Sequence, residues 1–281
     1  TVSRKSKRML ADAGSYLLLG LLSLLVLLPL AWMFLTSIKS MEEITLSRGM
    51  HFLPAVFSLE NYVKIWDNYP MLTLFKNSLL TVGGSTVLVI VCASLCGYGL
   101  SRFQFKGKAT FLGFLLVTQM FPAVMKVVPY YKILRMLDLI NTRTGLTVVY
   151  TSFCIPFCTW LMYGYFRGIP TGLDEAARID GCGWLKSFWK IVLPLARPGI
   201  IATTLYAFLQ NWNEYMFASV LMTRDANKTL TIGIAQMGDA YNILWNDLMC
   251  ASILASIPTL LIFLFLQKHL ISGMTSGAVK G

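Results

Sequence analysis

The chain has 281 residues, of which 56% are hydrophobic and only 13% are charged. Soluble domains typically carry about 25% charged residues, so this composition excludes an ordinary soluble protein and indicates an integral membrane protein. The formal net charge is +11, but the basic residues lie in the gaps between apolar runs, which argues against nucleic-acid binding. Four of the six cysteines stand in pairs four residues apart inside apolar runs. Such cysteines usually pack between helices, so neither a disulfide framework nor a zinc site is indicated.

Six apolar runs are long enough to cross a bilayer, which requires about 20 residues of helix. We therefore expect an all-α membrane protein with six transmembrane helices in a single domain over residues 1–281. The first run is too long for a cleavable signal peptide, so we expect it to be a retained span. Prolines inside four of the runs mark candidate kinks, at Pro29, Pro122, Pro156 and Pro258. The runs cover approximately residues 16–37, 77–100, 111–131, 146–166, 199–222 and 249–271.

The orientation in the membrane follows from the lysines and arginines between the runs. If the N-terminus is cytoplasmic, the inner segments carry more basic residues than the outer segments, as the positive-inside rule requires. An even number of spans then places both termini in the cytoplasm. Residues 168–198, between the fourth and fifth runs, would lie on the same side.

The segment 168–198 reads GIPTGLDEAARIDGCGWLKSFWKIVLPLARP and is too polar to be a span. Thr171, followed three residues later by Asp174, predicts a capping box at the start of a short helix. Gly181 suits the left-handed residue that often follows a helix. Between them, Ala176 and Ala177 are small enough for another protein surface to approach the backbone closely. The pattern predicts a docking helix.

A second short helix is expected to follow the first. One of its faces is apolar and the opposite face is basic, as in an amphipathic helix. We expect Pro194 to end this helix, because proline has no amide hydrogen and clashes with the preceding turn. The apolar face would consist of Trp184, Phe188, Ile191 and Val192, and the basic face of Lys186 and Lys190.

This segment resembles the "EAA" loop of ABC importer permeases, with every spaced element of that pattern in place. One departure is Cys182, where many members of the family carry alanine. The resemblance implies that the loop couples the permease to a partner ATPase. The residues assigned to this coupling are Glu175, Ala176, Ala177, Asp180, Gly181, Ile191, Leu193 and Pro194, and Pro198 completes the pattern.

The C-terminal tail, residues 273–281 (GMTSGAVKG), is small and polar. Such a terminus is ordinarily frayed, and it has too little apolar surface to fold alone, so any order would come from a partner. Its pattern also resembles the tails of maltose-type permeases, which reach between the two ATPase subunits. The resemblance implies ATPase contacts through Thr275, Ser276, Gly277 and Lys280.

Two polar interruptions occur within the predicted spans. Glu214 lies with Asn211 and Asn213 in the fifth run, and a charge at the bilayer centre costs about 2.5 kcal/mol or more. This patch either lines a translocation path or clamps helices together by hydrogen bonds. Gln119, close to Pro122 in the third run, either faces the path near a bend or packs around a kink.

The chain shows no P-loop, metal motif or catalytic constellation, and few ionisable residues inside its predicted spans. Nearly the whole sequence resembles the smaller membrane subunit of a maltose-type ABC importer. This implies a permease without enzymatic activity or a cofactor of its own, in a bacterial or archaeal inner membrane. Its implied partners are a second, different permease, two ATPase subunits that bind ATP and magnesium, an extracytoplasmic sugar-binding protein and membrane lipid.

The resemblance implies import of sugars, in particular oligosaccharides such as maltodextrins. Three alternatives remain open at this point. The first is an ABC permease for another solute, such as a polyol or a glycerol phosphoester. The second is an ion-coupled secondary carrier, which usually marks its path with several intramembrane charges. The third is a structural or receptor-like membrane protein that only recruits a partner.

Overall fold

The computed structural model describes residues 4–46, 52–238 and 244–278, with the backbone alone for residues 4–11, 269–278 and Leu46. Within these ranges the structure contains helices and no β-strand, in agreement with the expected all-α class. A π-helical turn spans Phe188–Val192, and a 3-10 turn spans Asp225–Asn227. The helices are α1 (Arg4–Ser37), α2 (Met41–Leu46), α3 (Glu60–Asn68), α4 (Met71–Arg102), α5 (Lys108–Met120), α6 (Ala123–Met136), α7 (Arg143–Arg167), α8 (Gly172–Ile179), α9 (Trp184–Ser187), α10 (Leu193–Leu195), α11 (Arg197–Trp212), α12 (Met216–Leu221), α13 (Leu230–Ala235) and α14 (Trp245–Ala278).

Four helices of the described chain are long and apolar enough to cross a membrane: α1 from Asp12, α4, α7 and α14 as far as Lys268. Two bent pairs pass the same test of length and composition. The axes of α5 and α6 differ by 100°, and those of the segment Trp184–Leu195 and α11 differ by 80°. By length and composition, the described residues therefore contain four candidate spans, or up to six if each bent pair is one span.

From the sequence we expected the third apolar run to be one span with a candidate kink at Pro122. In the structure it is divided into two helices. α5 ends at Met120, and the backbone is extended at Phe121 and Pro122 before α6 begins. Proline forces the preceding residue out of the helical region and supplies no amide hydrogen bond, which explains the break. The other three candidate kinks, Pro29, Pro156 and Pro258, lie inside uninterrupted helices.

The fifth apolar run is also interrupted, because α11 ends at Trp212 and α12 starts at Met216. The carboxylate of Glu214 accepts hydrogen bonds from the backbone amides of Phe217 (2.7 Å) and Ala218 (3.0 Å). These are amides of the first turn of α12, which would otherwise lack an acceptor. Glu214 thus caps the start of α12 at a position where the sequence predicted the middle of a single continuous span.

The chain divides into two compact units, Thr1–Pro70 with Ile234–Ser256, and Met71–Gly233 with Ile257–Gly281. In the first unit, the side-chain amide of Asn61 donates to the carbonyls of Ser37 (2.8 Å) and Lys39 (3.0 Å). The hydroxyl groups of Ser37 and Tyr62 lie 2.8 Å apart. These contacts hold α3 against the end of α1.

The second unit is built on α4, α7 and α11, whose small buried residues allow the helices to pack closely. Gly97 of α4 marks the tightest approach to α7. A Cβ atom at Gly97 would lie 2.8 Å from the backbone nitrogen of Tyr163 and 2.9 Å from the Cβ of Met162. The buried core around this contact includes Val89, Ala93, Cys154, Cys158, Met162 and Ala207.

Replacing Gly97 with valine should lower the thermal unfolding temperature of the purified protein in detergent. The new side chain meets backbone atoms of α7, which cannot move aside, and overpacking of this kind costs about 1–3 kcal/mol. Gly99 is the matched control, because a Cβ atom there meets nothing within 4 Å. Equal unfolding temperatures for Gly97→Val and Gly99→Val would contradict the close contact.

Candidate functional site

The predicted loop is bracketed by the end of α7 at Arg167 and the start of α11 at Arg197. Its first helix, α8, ends as the sequence predicts. Gly181 has a φ of +79°, and its amide donates to the carbonyl of Arg178 (3.0 Å) while the amide of Cys182 donates to that of Ala177 (2.8 Å). This is the Schellman arrangement, which satisfies carbonyls that would otherwise be free at a helix end.

The start of α8 differs from the prediction, because no capping box forms. Thr171 has helical backbone angles (φ −65°, ψ −27°), and its side chain makes no capping hydrogen bond. Asp174 is only 1% exposed and turns into the protein instead. In a capping box, the carboxylate of Asp174 would accept from the backbone amide of Thr171. It instead accepts from a guanidinium and two hydroxyl groups, and the charged guanidinium donor binds a carboxylate more strongly than a neutral amide does.

Asp174 is the centre of a buried polar cluster. One carboxylate oxygen, Oδ2, accepts from Nε of Arg102 (2.6 Å), and the other, Oδ1, accepts from the hydroxyls of Tyr98 (2.7 Å) and Ser187 (2.7 Å). The guanidinium also donates through Nη1 to the carbonyl of Phe166 (3.0 Å). One carboxylate thereby connects α8 to α4 and α9 and, through Arg102, to the end of α7. We call these four side chains, Tyr98, Arg102, Asp174 and Ser187, the Asp174 cluster.

The side chains of the Asp174 cluster are buried. The side chains of Arg102 and Asp174 are 3% and 2% exposed, and the rings of Tyr98, Phe166 and Phe188 pack around them with centroids 4.9–6.1 Å apart. In such surroundings an ion pair is held firmly, since removing one partner of a buried pair costs about 3–5 kcal/mol. The cluster therefore joins α8 rigidly to α4 and α7.

The outer surface of α8 and of the helix that follows it is exposed and carries both charged and apolar side chains. Glu175, Ala176 and Asp180 lie on this side, but Ala177 is only 4% exposed and faces the protein interior. The expectation that both alanines meet a partner is thus wrong for Ala177, because the polar cluster turns its side of α8 inward. Exposed large apolar side chains in the segment are Leu173, Ile179, Leu185, Trp189 and Leu195.

The second helix of the segment has the predicted faces but not the predicted end. Phe188 and Val192 are buried, Trp184 and Ile191 are half-buried, and Lys186 and Lys190 are exposed. Pro194 does not stop the helix. It lies in the first turn of α10, where a missing amide costs little, and the π turn before it absorbs the change of register. The bend comes after Leu195, at Ala196.

The polar residues of the fifth run have separate roles. Asn211 is buried, donates to Oγ of Ser85 (2.9 Å) and accepts from Sγ of Cys154 (3.3 Å), so it clamps α11 to α4 and α7. Asn213 is exposed and donates to the carbonyl of Leu209 (2.9 Å). Glu214 caps α12, a role that was not considered from the sequence, and its place on the translocation path stays a prediction.

Gln119 of α5 is exposed, and its amide donates to the carbonyl of Phe153 in α7 (3.2 Å). It lies directly before the break at Phe121. The hydrogen bond ties the last turn of α5 to α7 and leaves the rest of the side chain accessible.

In the tail, the backbone of α14 is helical as far as Ala278. An apolar span can propagate into small residues without a new nucleation step, so this order needs no partner. Thr275, Ser276 and Gly277 belong to this helical backbone, and their side chains lie outside the described residues. Lys280 lies outside them entirely, so tail contacts with an ATPase stay a prediction.

Sequence reasoning missed three members of the Asp174 cluster: Tyr98, Arg102 and Ser187. A usable signal existed in the helical spacing of Asp174 and Ala177, which places both on one face of α8. An aspartate on the inward face of a helix requires a cationic partner, and Arg102 at the end of the second apolar run is an obvious candidate.

A family model described as "Binding-protein-dependent transport system inner membrane component" matches residues 89–276. The trehalose/maltose transport system permease protein MalG of Thermococcus litoralis is 33% identical over 98% of this chain and 99% of its own length. The diacetylchitobiose uptake system permease protein NgcG of Streptomyces coelicolor is 33% identical over 95% of this chain and 89% of its own length.

A solved structure agrees with the sequence relatives. A chain in the crystal structure of a bacterial ABC transporter involved in the import of the acidic polysaccharide alginate superposes with a TM-score of 0.82 at 25% identity, covering 95% of this chain and 98% of that one. The resemblance to maltose-type permeases is thus confirmed, and the family model spans well over half of the sequence. The chain belongs to the family of binding-protein-dependent transport system inner membrane components.

Proposed function

We propose that this chain is the smaller, six-span permease subunit of an ATP-driven importer of sugars. It forms half of the translocation path with a second, different permease and is driven by two ATPase subunits that hold ATP and magnesium. An extracytoplasmic sugar-binding protein delivers the substrate. The observation that carries the proposal is the Asp174 cluster, which fixes an exposed docking helix to the membrane helices in a chain of this family.

The coupling step follows from that connection. An ATPase seated on the outer surface of α8, around Glu175 and Ile179, moves this helix when ATP closes the ATPase dimer. Because the Asp174 cluster holds α8 to α4 and α7, these helices tilt with it instead of sliding past it. A docked helix pair needs to bias a two-state bundle by only a few kcal/mol to switch its access.

The orientation proposed from the sequence fits the positions of the charges. α4 ends at Arg102, α5 begins at Lys108 and α7 ends at Arg167. All three positions are at the end of the second unit that carries residues 168–198, which we call the coupling segment. This accumulation of basic residues favours the cytoplasmic side. Six spans, as expected from the sequence, place both termini there and make residues 1–281 one permease domain.

The sugar path is proposed to run along the exposed polar residues beside the two helix breaks. Gln119 lies before the break in the third apolar run, and Asn213 lies within the break in the fifth. Both side chains are accessible in this chain, whereas Asn211 and Glu214 are engaged in holding helices in place. Carbohydrate as the substrate class is supported by relatives named for trehalose and maltose and for diacetylchitobiose.

A permease for a polyol or a glycerol phosphoester would use the same coupling device, and only the substrate would differ. Uptake assays in reconstituted vesicles with labelled maltodextrin, trehalose, a polyol and a glycerol phosphoester separate these solutes. An ion-coupled carrier would transport without ATP or partner subunits in the same vesicles.

The docking surface is tested by Ile179→Asp, which places a charge on a side chain that is 87% exposed. We expect about 30-fold weaker binding of the ATPase subunits, because interface hot spots contribute about 2 kcal/mol. Binding is measured by co-purification and titration of the ATPase onto vesicles. The matched control is Leu137→Asp, since Leu137 is 61% exposed beyond α6, near the opposite end of α7. Equal ATPase binding by both variants would show that α8 is not the docking helix.

The Asp174 cluster is tested by Asp174→Asn, which keeps the shape of the side chain but leaves Arg102 buried without its counter-ion. We expect a loss of about 3–5 kcal/mol in stability and a lower ratio of sugar imported to ATP hydrolysed. The double variant Asp174→Asn with Arg102→Gln removes both charges and should regain much of the unfolding temperature without regaining the coupling ratio. Glu175→Gln, at an exposed carboxylate, should leave the unfolding temperature unchanged. A normal coupling ratio in Asp174→Asn would refute a role in transmission.

The tail is tested by deleting residues 275–281. The coupling segment still docks in this variant, so we expect the complex to assemble while the transport rate or its coupling to hydrolysis falls. Assembly is checked by co-purification, and sugar uptake is compared with ATP hydrolysis in vesicles. Unchanged uptake together with unchanged ATPase stimulation would mean that the tail makes no functional contact.

A further inference from the structure

A polar cavity of about 560 Å³ opens where α4 ends, α5 begins and α7 ends. Its wall includes Ser101 at the end of α4, Lys108 and Thr110 in the first turn of α5, and Tyr163 and Arg167 near the end of α7. This is the end of the helices that also carries the coupling segment, but the cavity is separate from the outer surface of α8. Neither the EAA pattern nor the Asp174 cluster assigns it a function.

Two cations converge on one aromatic ring in this cavity. Nζ of Lys108 lies 5.6 Å from the centroid of the Tyr163 ring, and Cζ of Arg167 lies 5.9 Å from the same centroid. Nζ of Lys108 also donates to the carbonyl of Phe103 (3.3 Å). None of the described residues that line the cavity carries a carboxylate. Asp174, which follows α7 in the chain, is bound to Arg102 instead. The cavity thus concentrates positive charge that a bound anion would neutralise.

The first turn of α5 adds to this positive potential. Gly107, which precedes the helix, has a φ of +90°, and no side chain caps the helix start, although the amide of Lys108 donates to the carbonyl of Phe105 (3.3 Å). Helix N-termini attract anions through their free amides and through the helix dipole. The effect supports the two cations and would not define a site without them.

A second cavity, of about 400 Å³, has an almost purely apolar wall formed by α5 and α7. Leu116 lines it one helical turn after Leu112, which lines the polar cavity. Trp160 of the apolar wall donates through Nε1 to the carbonyl of Leu112 (3.3 Å), so the two walls are joined. A charged pocket at the ends of membrane helices beside an apolar pocket further along them matches an amphiphile with an anionic head.

We propose that these two cavities bind an anionic phospholipid of the leaflet that faces the coupling segment. The phosphate occupies the polar cavity between Lys108 and Arg167, and an acyl chain occupies the apolar cavity beside Trp160 and Gly164. Basic pockets between membrane helices are suited to such headgroups, with each nearby cation strengthening attachment. The lipid would fill the junction of α5 and α7 next to the coupling segment.

The test uses the complete transporter with its partner subunits, purified in detergent and titrated with phosphatidylglycerol while native mass spectrometry counts bound lipid. Phosphatidylcholine and inorganic phosphate are added as competitors in separate titrations. The readout is lipid occupancy, so it does not depend on whether the transporter imports a sugar. We expect phosphatidylglycerol to be retained in preference to phosphatidylcholine and not to be displaced by millimolar inorganic phosphate.

The variants separate the two cavities. Lys108→Gln and Arg167→Gln should each weaken phosphatidylglycerol binding about fivefold, and the double variant about 25-fold. Lys106→Gln is the matched control, because Lys106 is exposed in the same loop but does not line the cavity. Gly164→Leu should also weaken phosphatidylglycerol binding, since it projects a side chain into the apolar cavity where a Cβ meets nothing within 4 Å.

Three results would overturn the proposal. The first is equal phosphatidylglycerol binding by the double variant and by Lys106→Gln. The second is displacement of phosphatidylglycerol by inorganic phosphate, which would indicate a soluble anion as the ligand, or full retention of the lipid by Gly164→Leu, which would show that no acyl chain lies in the apolar cavity. The third is release of the ATPase subunits from the double variant with lipid binding intact, which would make the basic pocket a protein contact.

Discussion

The buried ion pair between Asp174 and Arg102 is the constraint on which the functional end of this protein depends. Both charges are removed from water, so each requires the other, and two hydroxyl donors complete the carboxylate's hydrogen bonds. The pair joins parts of the chain that are 72 residues apart. It turns α8 so that Asp174 and Ala177 face the membrane helices, whereas both charged and apolar side chains, including Glu175 and Ile179, face outward.

Close packing near the Asp174 cluster makes that connection stiff. Gly97 lets α4 approach the backbone of α7, and a Cβ atom at Gly199 would lie 2.5 Å from Cγ of Tyr165. Both contacts are within two helical turns of Phe166, whose carbonyl accepts from Arg102. Protein interiors at this density transmit displacement instead of absorbing it. The coupling segment and the helices beside it therefore suit a rigid-body response to a partner.

The helix breaks have a different physical origin from the coupling segment. Pro122 interrupts the third apolar run through its steric clash and its missing amide hydrogen, whereas Glu214 interrupts the fifth by offering its carboxylate to the amides of a new helix. In an apolar environment every freed backbone group needs a partner, so such breaks are tolerated only where side chains supply them. The exposed polar groups next to these breaks are where we propose that a polar solute passes.

The sequence by itself determined the all-helical class, the positions of the long apolar runs, the boundaries of the coupling segment and its left-handed glycine at position 181. These features depend on local properties, namely apolar length, charge and the backbone freedom of glycine. Its spaced motif also identified the family correctly.

Only the tertiary structure decided which face of α8 turns inward. Local sequence predicts that Asp174 belongs to a capping box and that Ala177 is exposed beside Ala176, because no residue close in sequence offers Asp174 another partner. Arg102 and Tyr98, more than 70 residues away, supply stronger partners for the carboxylate than the α8 backbone does. Likewise, Glu214 reads as a charge within a span until the folded chain shows it ending one helix and capping the next. Local patterns fix where helices form, whereas the pairing of buried charges depends on contacts that only folding brings together.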